Sequence, residues 1–136
     1  MTTNLITVGP DERMERVDEI FNNNEFHHLP VVDENKKLVG ILSKTDYLML
    51  CNSFTIFNTR IAKEQNRRLF ASMLVKEIMQ KNTAKLHPDN EVLLAVGFFK
   101  ENLFHAIPIV DAEDKLVGIV TTFDLINHAY QLPTPQ

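Results

Sequence analysis

Apolar positions recur along the chain with two different periods, and the switches between them mark out the elements. Leu5-Ile6-Thr7-Val8 is a short β-rich run halted by Gly9-Pro10. Met14, Val17, Ile20 and Phe21 then fall three and four apart, which predicts an amphipathic helix over about residues 12 to 23. Asp11 reads as its N-cap, Glu12 as a first-turn acid, and Asn22-Asn23-Asn24 as its end. Leu29 to Val32 is a predicted strand with Pro30 near its start, where a missing N–H is tolerated. After the polar turn 33–37, Leu38 to Leu42 is apolar throughout except for Gly40, the pattern of a strand buried on both faces. Gly40 within it implies a close backbone approach or a bulge. Ser43-Lys44-Thr45-Asp46 opens a second helix carrying Tyr47, Leu48, Leu50 and Cys51.

Residues 52–74 follow as a helical connector. Phe57, Ile61, Leu69, Phe70, Met73 and Leu74 form its apolar side, and Arg60, Lys63, Glu64, Arg67 and Arg68 its polar one. Those basic residues could meet an acidic partner, although a charge run of this kind ordinarily belongs to a solvated face. Val75 to Met79 is a short turn or helix. The first pattern then returns: a strand over Ala84 to Leu86, a helix from about Asn90 to Lys100, strands Ile107 to Val110 and Leu116 to Val120, and a helix from Thr122 to about Tyr130. The helix at Glu91 to Phe99 is apolar almost all round, which predicts burial on more than one side, including a subunit contact. Leu132 to Gln136 reads as a frayed tail.

The return is an internal repeat. His27-His28-Leu29-Pro30-Val31-Val32-Asp33 is echoed by His105-Ala106-Ile107-Pro108-Ile109-Val110-Asp111. Lys37-Leu38-Val39-Gly40-Ile41 is echoed by Lys115-Leu116-Val117-Gly118-Ile119, and Asp46 by Asp124. The offset is 78 throughout (105 − 27 and 124 − 46), with no gap. A copy of about 45 residues is too small to bury an adequate core alone, so the two copies are expected to pack into one unit. The predicted fold is α/β (α+β), two β-α-β-β-α repeats with pseudo-two-fold symmetry. The predicted boundaries are 1–51 for the first repeat, 52–74 for the connector, 75–131 for the second repeat and 132–136 for the tail.

Composition narrows the functional classes. A net charge of −4 argues against nucleic acid as a partner. The longest apolar run, Val92 to Phe99, is too short to cross a bilayer, and no basic-then-apolar signal segment opens the chain. A lone cysteine, Cys51, excludes an internal disulfide and fits a reducing cytoplasm. None of the five histidines has close metal-ligand spacing with Cys or carboxylate, and no Gly-rich phosphate loop is present. Without a nucleophile–base pair or a metal box, the chain reads as a non-enzyme.

The repeated chemistry lies in Ser43-x-x-Asp46 and Thr121-x-x-Asp124. One reading is a capping box, in which the hydroxyl bonds the N3 amide and the carboxylate lies in the first helical turn. The other begins from the same geometry. A helix N-terminus offers N–H groups to an anion, and a nearby carboxylate can accept from the two hydroxyls of a ribose.

These copies, with their x-x-x-Pro-Val-Val-Asp and Leu-Val-Gly-Ile strands and terminal Ser/Thr-x-x-Asp, resemble a tandem pair of CBS (cystathionine β-synthase) domains, a Bateman module. The resemblance covers nearly the whole chain except residues 52 to 74 and the two ends. It implies a regulatory module with two clefts between the sheets, binding an adenosine-containing ligand: AMP, ADP or ATP, with S-adenosylmethionine ranked behind them. No cofactor is required. Ser43, Asp46, Thr121 and Asp124 match the family's ribose- and phosphate-contacting positions. The base pocket would draw on Ile6, Thr7, Phe26, His27, His28, Ala84, Lys85, Phe104, His105 and Ala106. His27-His28 resembles the basic pair before Leu-Pro that grips phosphates in kinase-regulating energy sensors of this family. Lys44 is a further phosphate partner. Phe26 and Phe104 are open to either adenine stacking or core packing.

The lead-in Val75 to Met79 precedes the second copy, whereas the first copy starts almost at the terminus. Its outer wall is therefore expected to be open, or completed by the connector or by a second chain. The resemblance further implies a homodimer associating through helices and an effector protein that receives the signal. The alternative is a ligand-free dimerisation or protein-interaction module in which Ser43 and Thr121 are only caps.

Overall fold

The computed structural model describes residues 3, 5–53, 67–102 and 105–130. The chain is an α/β protein that divides into two compact units. The first comprises Ile6–Glu34 and Val39–Lys81; the second comprises Met1–Leu5, Asn35–Leu38 and Asn82–Gln136.

In the first unit, Val8 forms a parallel bridge to Val31, then α1 (Met14–Asn23), β1 (His28–Val32), β2 (Leu38–Ser43, whose first residue belongs to the second unit) and α2 (Lys44–Ser53) follow. β1 and β2 form a two-stranded sheet. The apolar stripe predicted for α1 is its buried face: Met14, Val17, Ile20 and Phe21 join Val8, Leu29, Val31, Leu42 and Tyr47 in one core. The Asn24 side chain closes the helix by donating to the Ile20 carbonyl at 2.8 Å. The start of α1 departs from expectation. Asp11 is not the N-cap; Arg13 occupies that position without a side-chain cap bond, and the helix begins at Met14. The cause is tertiary. Glu12 O accepts from Val75 N at 2.8 Å, Pro10 O accepts from Lys76 N at 2.9 Å, and Met14 N donates to Met73 O at 2.8 Å. Residues 9–12 form a turn closed by Glu12 N donating to Gly9 O at 3.3 Å, Arg13 alone is extended before the helix, and Glu12 Oε2 accepts from Gly9 N at 2.5 Å.

The partner in that pairing is the run from 67 to 81. Residues 67–72 are helical, Val75–Ile78 forms the one-turn α3, and Gln80 bridges Ile41 antiparallel with both N···O distances at 3.0 Å. Phe70 and Val75 are buried in the first core, with Met73, Ile78 and Met79 packed against it. The outer wall of the first copy is therefore completed by this run of its own chain. The expectations for Phe57, Ile61, Arg60, Lys63 and Glu64 lie outside the described residues, as do those for the tail.

The second unit repeats the plan with Leu86 bridged parallel to Ile109, then α4 (Val92–Asn102), β3 (Ala106–Val110), β4 (Leu116–Thr121) and α5 (Thr122–Ala129). β3 and β4 are antiparallel, pairing Ile107 with Val120 and Ile109 with Gly118, with a bulge before Val110 pairs Leu116. Its core holds Leu86, Ala95, Phe99, Ile107, Ile109 and Val120. α4 starts with its apolar run at Val92, two residues after the expected start at about Asn90, because Asn90 closes a turn by accepting from His87 N at 2.6 Å. Ala95 and Phe99 face that core, whereas Val92, Leu93 and Leu94 are exposed in the single chain.

The offset of 78 extends to individual bonds. Val32 N–Val8 O at 2.9 Å has its counterpart in Val110 N–Leu86 O at 2.8 Å. Lys36 and Asp114 both adopt left-handed backbone, φ 65° and 66°, at the same place in the β1–β2 and β3–β4 turns. Within the second unit these turns bond reciprocally: Leu38 N to Asp114 O and Leu116 N to Lys36 O, each 3.1 Å. Each duplicated segment has thus kept its backbone geometry as well as its residue types.

Candidate functional site

Each copy ends a strand at a hydroxyl residue and turns directly into a helix, and the repeated polar residues collect at that corner. In the first unit Ser43 closes β2 and Lys44 opens α2. Ser43 Oγ accepts from Asp46 N at 3.0 Å, and Lys44 N donates to the carbonyl of His27 at 2.7 Å. The second bond ties the entry to β1 to the start of α2, so His27, Ser43, Lys44 and Asp46 share one corner. Asp46 Oδ2 accepts from the side chain of Gln80, Nε2 at 3.3 Å. Ser43, Lys44 and Asp46 are half-buried and His27 is exposed. His28, the first residue of β1, and Thr7, next to the Val8 bridge, are both half-buried.

The second corner is built the same way. Thr122 N donates to His105 O at 3.3 Å, and Asp124 N donates to Thr121 Oγ1 at 3.2 Å. Here the capping box is closed, with Thr121 N donating to Asp124 Oδ2 at 2.9 Å. His105 is exposed, and Phe104 lies outside the described residues. Lys85 is ion-paired to Asp114 at 2.8 Å. Phe26 packs edge-on against Phe21, centroids 6.4 Å apart, and lies against the first core.

These bonds correct one expectation about the helix N-termini. At each corner the N1 amide is bonded to a histidine carbonyl and the N3 amide to the cap hydroxyl. Two of the first three amides are therefore committed within the protein, and little of the anion-binding capacity of a bare helix end is left. Recognition of a polar ligand here must come mainly from side chains. The candidates are the remaining acceptor sites of Asp46 and Asp124, the cap hydroxyls, the Lys44 ammonium and the exposed His27 and His105. A carboxylate offers about four lone-pair sites, so one intramolecular bond leaves it able to accept from two vicinal hydroxyls.

Two contacts near the first corner were not legible in the sequence. Gln80 reaches Asp46 across 34 positions, and an amide after a short helix gives no sign of that. Tyr47 donates to Asp18 Oδ1, linking α2 to α1. Burial, and then the Asp18 carboxylate it donates to, raises the Tyr47 phenol well above its ordinary range. Burial also pushes the Cys51 thiol up, so its thiolate is disfavoured and the sulfur behaves as a packing group. Among the described residues, no three His, Cys, Asp or Glu side chains are grouped as metal ligands, and no helix is long and apolar enough to cross a membrane.

The family model described as CBS domain matches residues 1–52 and 75–130. The curated protein MJ1225 of Methanocaldococcus jannaschii is 29% identical over 128 residues, covering 94% of this chain and 45% of MJ1225, so the chain spans less than half of that relative. A crystal structure of CBSX2 in complex with AMP superposes with a TM-score of 0.78 at 26% identity, covering 97% of this chain and 93% of that one. CBSX2 is a CBS-pair protein of Arabidopsis thaliana. The CBS domain pair of MJ0100, in complex with 5′-methylthioadenosine and S-adenosyl-L-methionine, superposes with a TM-score of 0.74 at 26% identity, covering 98% and 94%.

Proposed function

Because the chain belongs to the CBS-domain family, we propose that it is a regulatory module that binds an adenosine-containing ligand of the AMP, ADP or ATP class. The ligand is held at the strand-to-helix corners, and the signal passes to an effector protein. The observation that carries this reading is the corner itself. Its N1 and N3 amide bonds recur in both copies, and it gathers a carboxylate and a hydroxyl at each helix start, with Lys44 next in sequence to Ser43 in the first copy. Asp46 and Asp124 accept from the ribose hydroxyls. Lys44, His27, His28 and His105 meet phosphate, with Ser43 and Thr121 beside them. Thr7 and Phe104 line the base. The similarity to CBSX2, solved with AMP, and to MJ0100, solved with two other adenosine compounds, supports the ligand class.

The mechanism is linkage: the ligand favours whichever arrangement of the chain binds it better, and only that difference in affinity is transmitted. Self-association belongs to the same reading. Val92, Leu93 and Leu94 on α4, with Phe123, Ile126 and Tyr130 on and after α5, form an exposed apolar surface suited to a second copy. The reading places the protein in the cytoplasm, where its lone Cys51 stays a thiol.

Calorimetry with AMP, ADP, ATP and S-adenosylmethionine tests the reading on the wild type, Asp46→Ala, Asp124→Ala and the double variant. Binding by the wild type and loss in the variants is the expected result. A second reading is favoured by one observation: Thr121 and Asp124 cap each other reciprocally in a closed capping box, a structural role that needs no ligand. On that reading the chain is a ligand-free interaction module. Absence of heat and of any thermal shift at millimolar levels of all four compounds would establish it.

A further inference from the structure

We propose that Gln80 is a positioning residue for Asp46, setting the carboxylate to receive a vicinal diol and making the first corner the more selective of the two for ribose. The inference rests on the reading of Asp46 as the ribose acceptor. The two corners share their backbone but differ in what holds the acid. Asp124 Oδ2 is turned onto its own N-cap amide, Thr121 N, at 2.9 Å. Asp46 Oδ2 takes a side-chain donor from a segment 34 positions away, Gln80 Nε2 at 3.3 Å. Gln80 is itself fixed, because its backbone bonds Ile41 in both directions at 3.0 Å. That pairing needs glycine beneath it. A Cβ on Gly40 would lie 2.8 Å from Gln80 O and 2.6 Å from Met79 Sδ.

A chain of cause therefore runs from Gly40, through the close approach of residues 79–80 to β2, to an amide anchored beside the carboxylate. One Asp46 oxygen is oriented by that neutral donor. The carboxylate retains acceptor capacity for two hydroxyls. A donor held by the backbone costs less ordering on binding than a carboxylate that has to find its orientation.

The test uses the full chain and two ligands, AMP and 2′,3′-dideoxy-AMP, titrated calorimetrically into the wild type, Gln80→Ala and Gln80→Glu. The expected wild type prefers AMP. Gln80→Ala loses about fivefold in AMP affinity, the scale of one bond to a partly exposed charged acceptor. Its dideoxy affinity stays level, and its melting temperature in the absence of ligand stays close to wild type because the Ile41 pairing is main-chain. Gln80→Glu, equal in size but with a second acid against Asp46, loses more AMP affinity, again with dideoxy binding unchanged. If the wild type prefers AMP but Gln80→Ala binds it equally well, the positioning role is overturned. Equal losses for both ligands also overturn it, since they would report a distorted corner. A wild type that does not distinguish the two ligands overturns the ribose reading itself, and the inference with it.

Discussion

Two Gly→Ala substitutions in this chain should have opposite signs, and Gly40 gives the larger effect. Gly40 is buried in β2, and a Cβ there would meet Met79 Sδ at 2.6 Å, Gln80 O at 2.8 Å and Met79 Cγ at 3.0 Å. The thioether can swing away. The carbonyl cannot move alone, because Gln80 O accepts from Ile41 N and Gln80 N donates to Ile41 O, both at 3.0 Å. Relief requires the 79–80 segment to back off β2, stretching both bonds. Overpacking of this kind costs about 1–3 kcal/mol, and each weakened backbone bond up to about 1 kcal/mol more. Loss of unfolded-chain freedom on going from Gly to Ala returns about 0.4–1 kcal/mol. The net expectation is a destabilisation of about 2–3 kcal/mol, or a fall in Tm of roughly 6–12 °C for a chain of this size. Gly97 lies within α4, where a Cβ would meet nothing within 4 Å. Gly97→Ala should therefore gain about 0.5–1 kcal/mol from helix propensity. Thermal and urea unfolding followed by circular dichroism, at one protein concentration for all variants, reads both. The reasoning fails if Gly40→Ala melts with the wild type, or if Gly97→Ala falls as far as Gly40→Ala.

Thr121→Ala removes the hydroxyl that accepts from Asp124 N and should cost about 1 kcal/mol by urea unfolding, while Thr121→Ser stays close to wild type. The folded-state pKa of Tyr47 is raised, so its contribution is fully present below the unfolded value near 10 and is lost as pH rises through the folded value. Wild-type stability should consequently fall with a steeper slope above about pH 10 than that of Tyr47→Phe, measured by unfolding across the alkaline range. Equal slopes would remove Tyr47 as the source. Leu93 is 76% exposed and Ile126 52% exposed on the α4–α5 surface. Leu93→Glu and Ile126→Glu should convert a dimer to a monomer by light scattering, and a wild type that is already monomeric would discard that surface as a self-contact.

The architecture was legible because its causes are local. The stripe Met14, Val17, Ile20, Phe21 makes one face of a helix from adjacent turns alone, and these four residues are buried as that spacing requires. Each Pro-containing strand and each Ser/Thr-x-x-Asp corner carries its own turn chemistry, and the repeat at offset 78 doubles every such signal. Gly40 could be read as a close approach because a glycine in a buried strand has few other uses. Asp11 misled because it has the right residue type for an N-cap, but residues 10–13 pair with 73–76 instead, a competition that the local sequence does not contain.

The amino-acid order by itself therefore determined the two copies, their element types and the positions of Ser43, Asp46, Thr121 and Asp124, since periodicity and capping act between near neighbours. Only the tertiary structure decided that residues 67–81 would wall the first copy. It also decided that Tyr47 would donate to Asp18, and that Asp46 would be held by Gln80 where Asp124 is held by its own cap. The Tyr47–Asp18, Gln80–Asp46 and Val75–Glu12 bonds join positions 29, 34 and 63 apart (47 − 18, 80 − 46 and 75 − 12). Which of several possible polar partners meets a given side chain at that range depends on how whole faces pack, and on a glycine that lets one backbone lie against another.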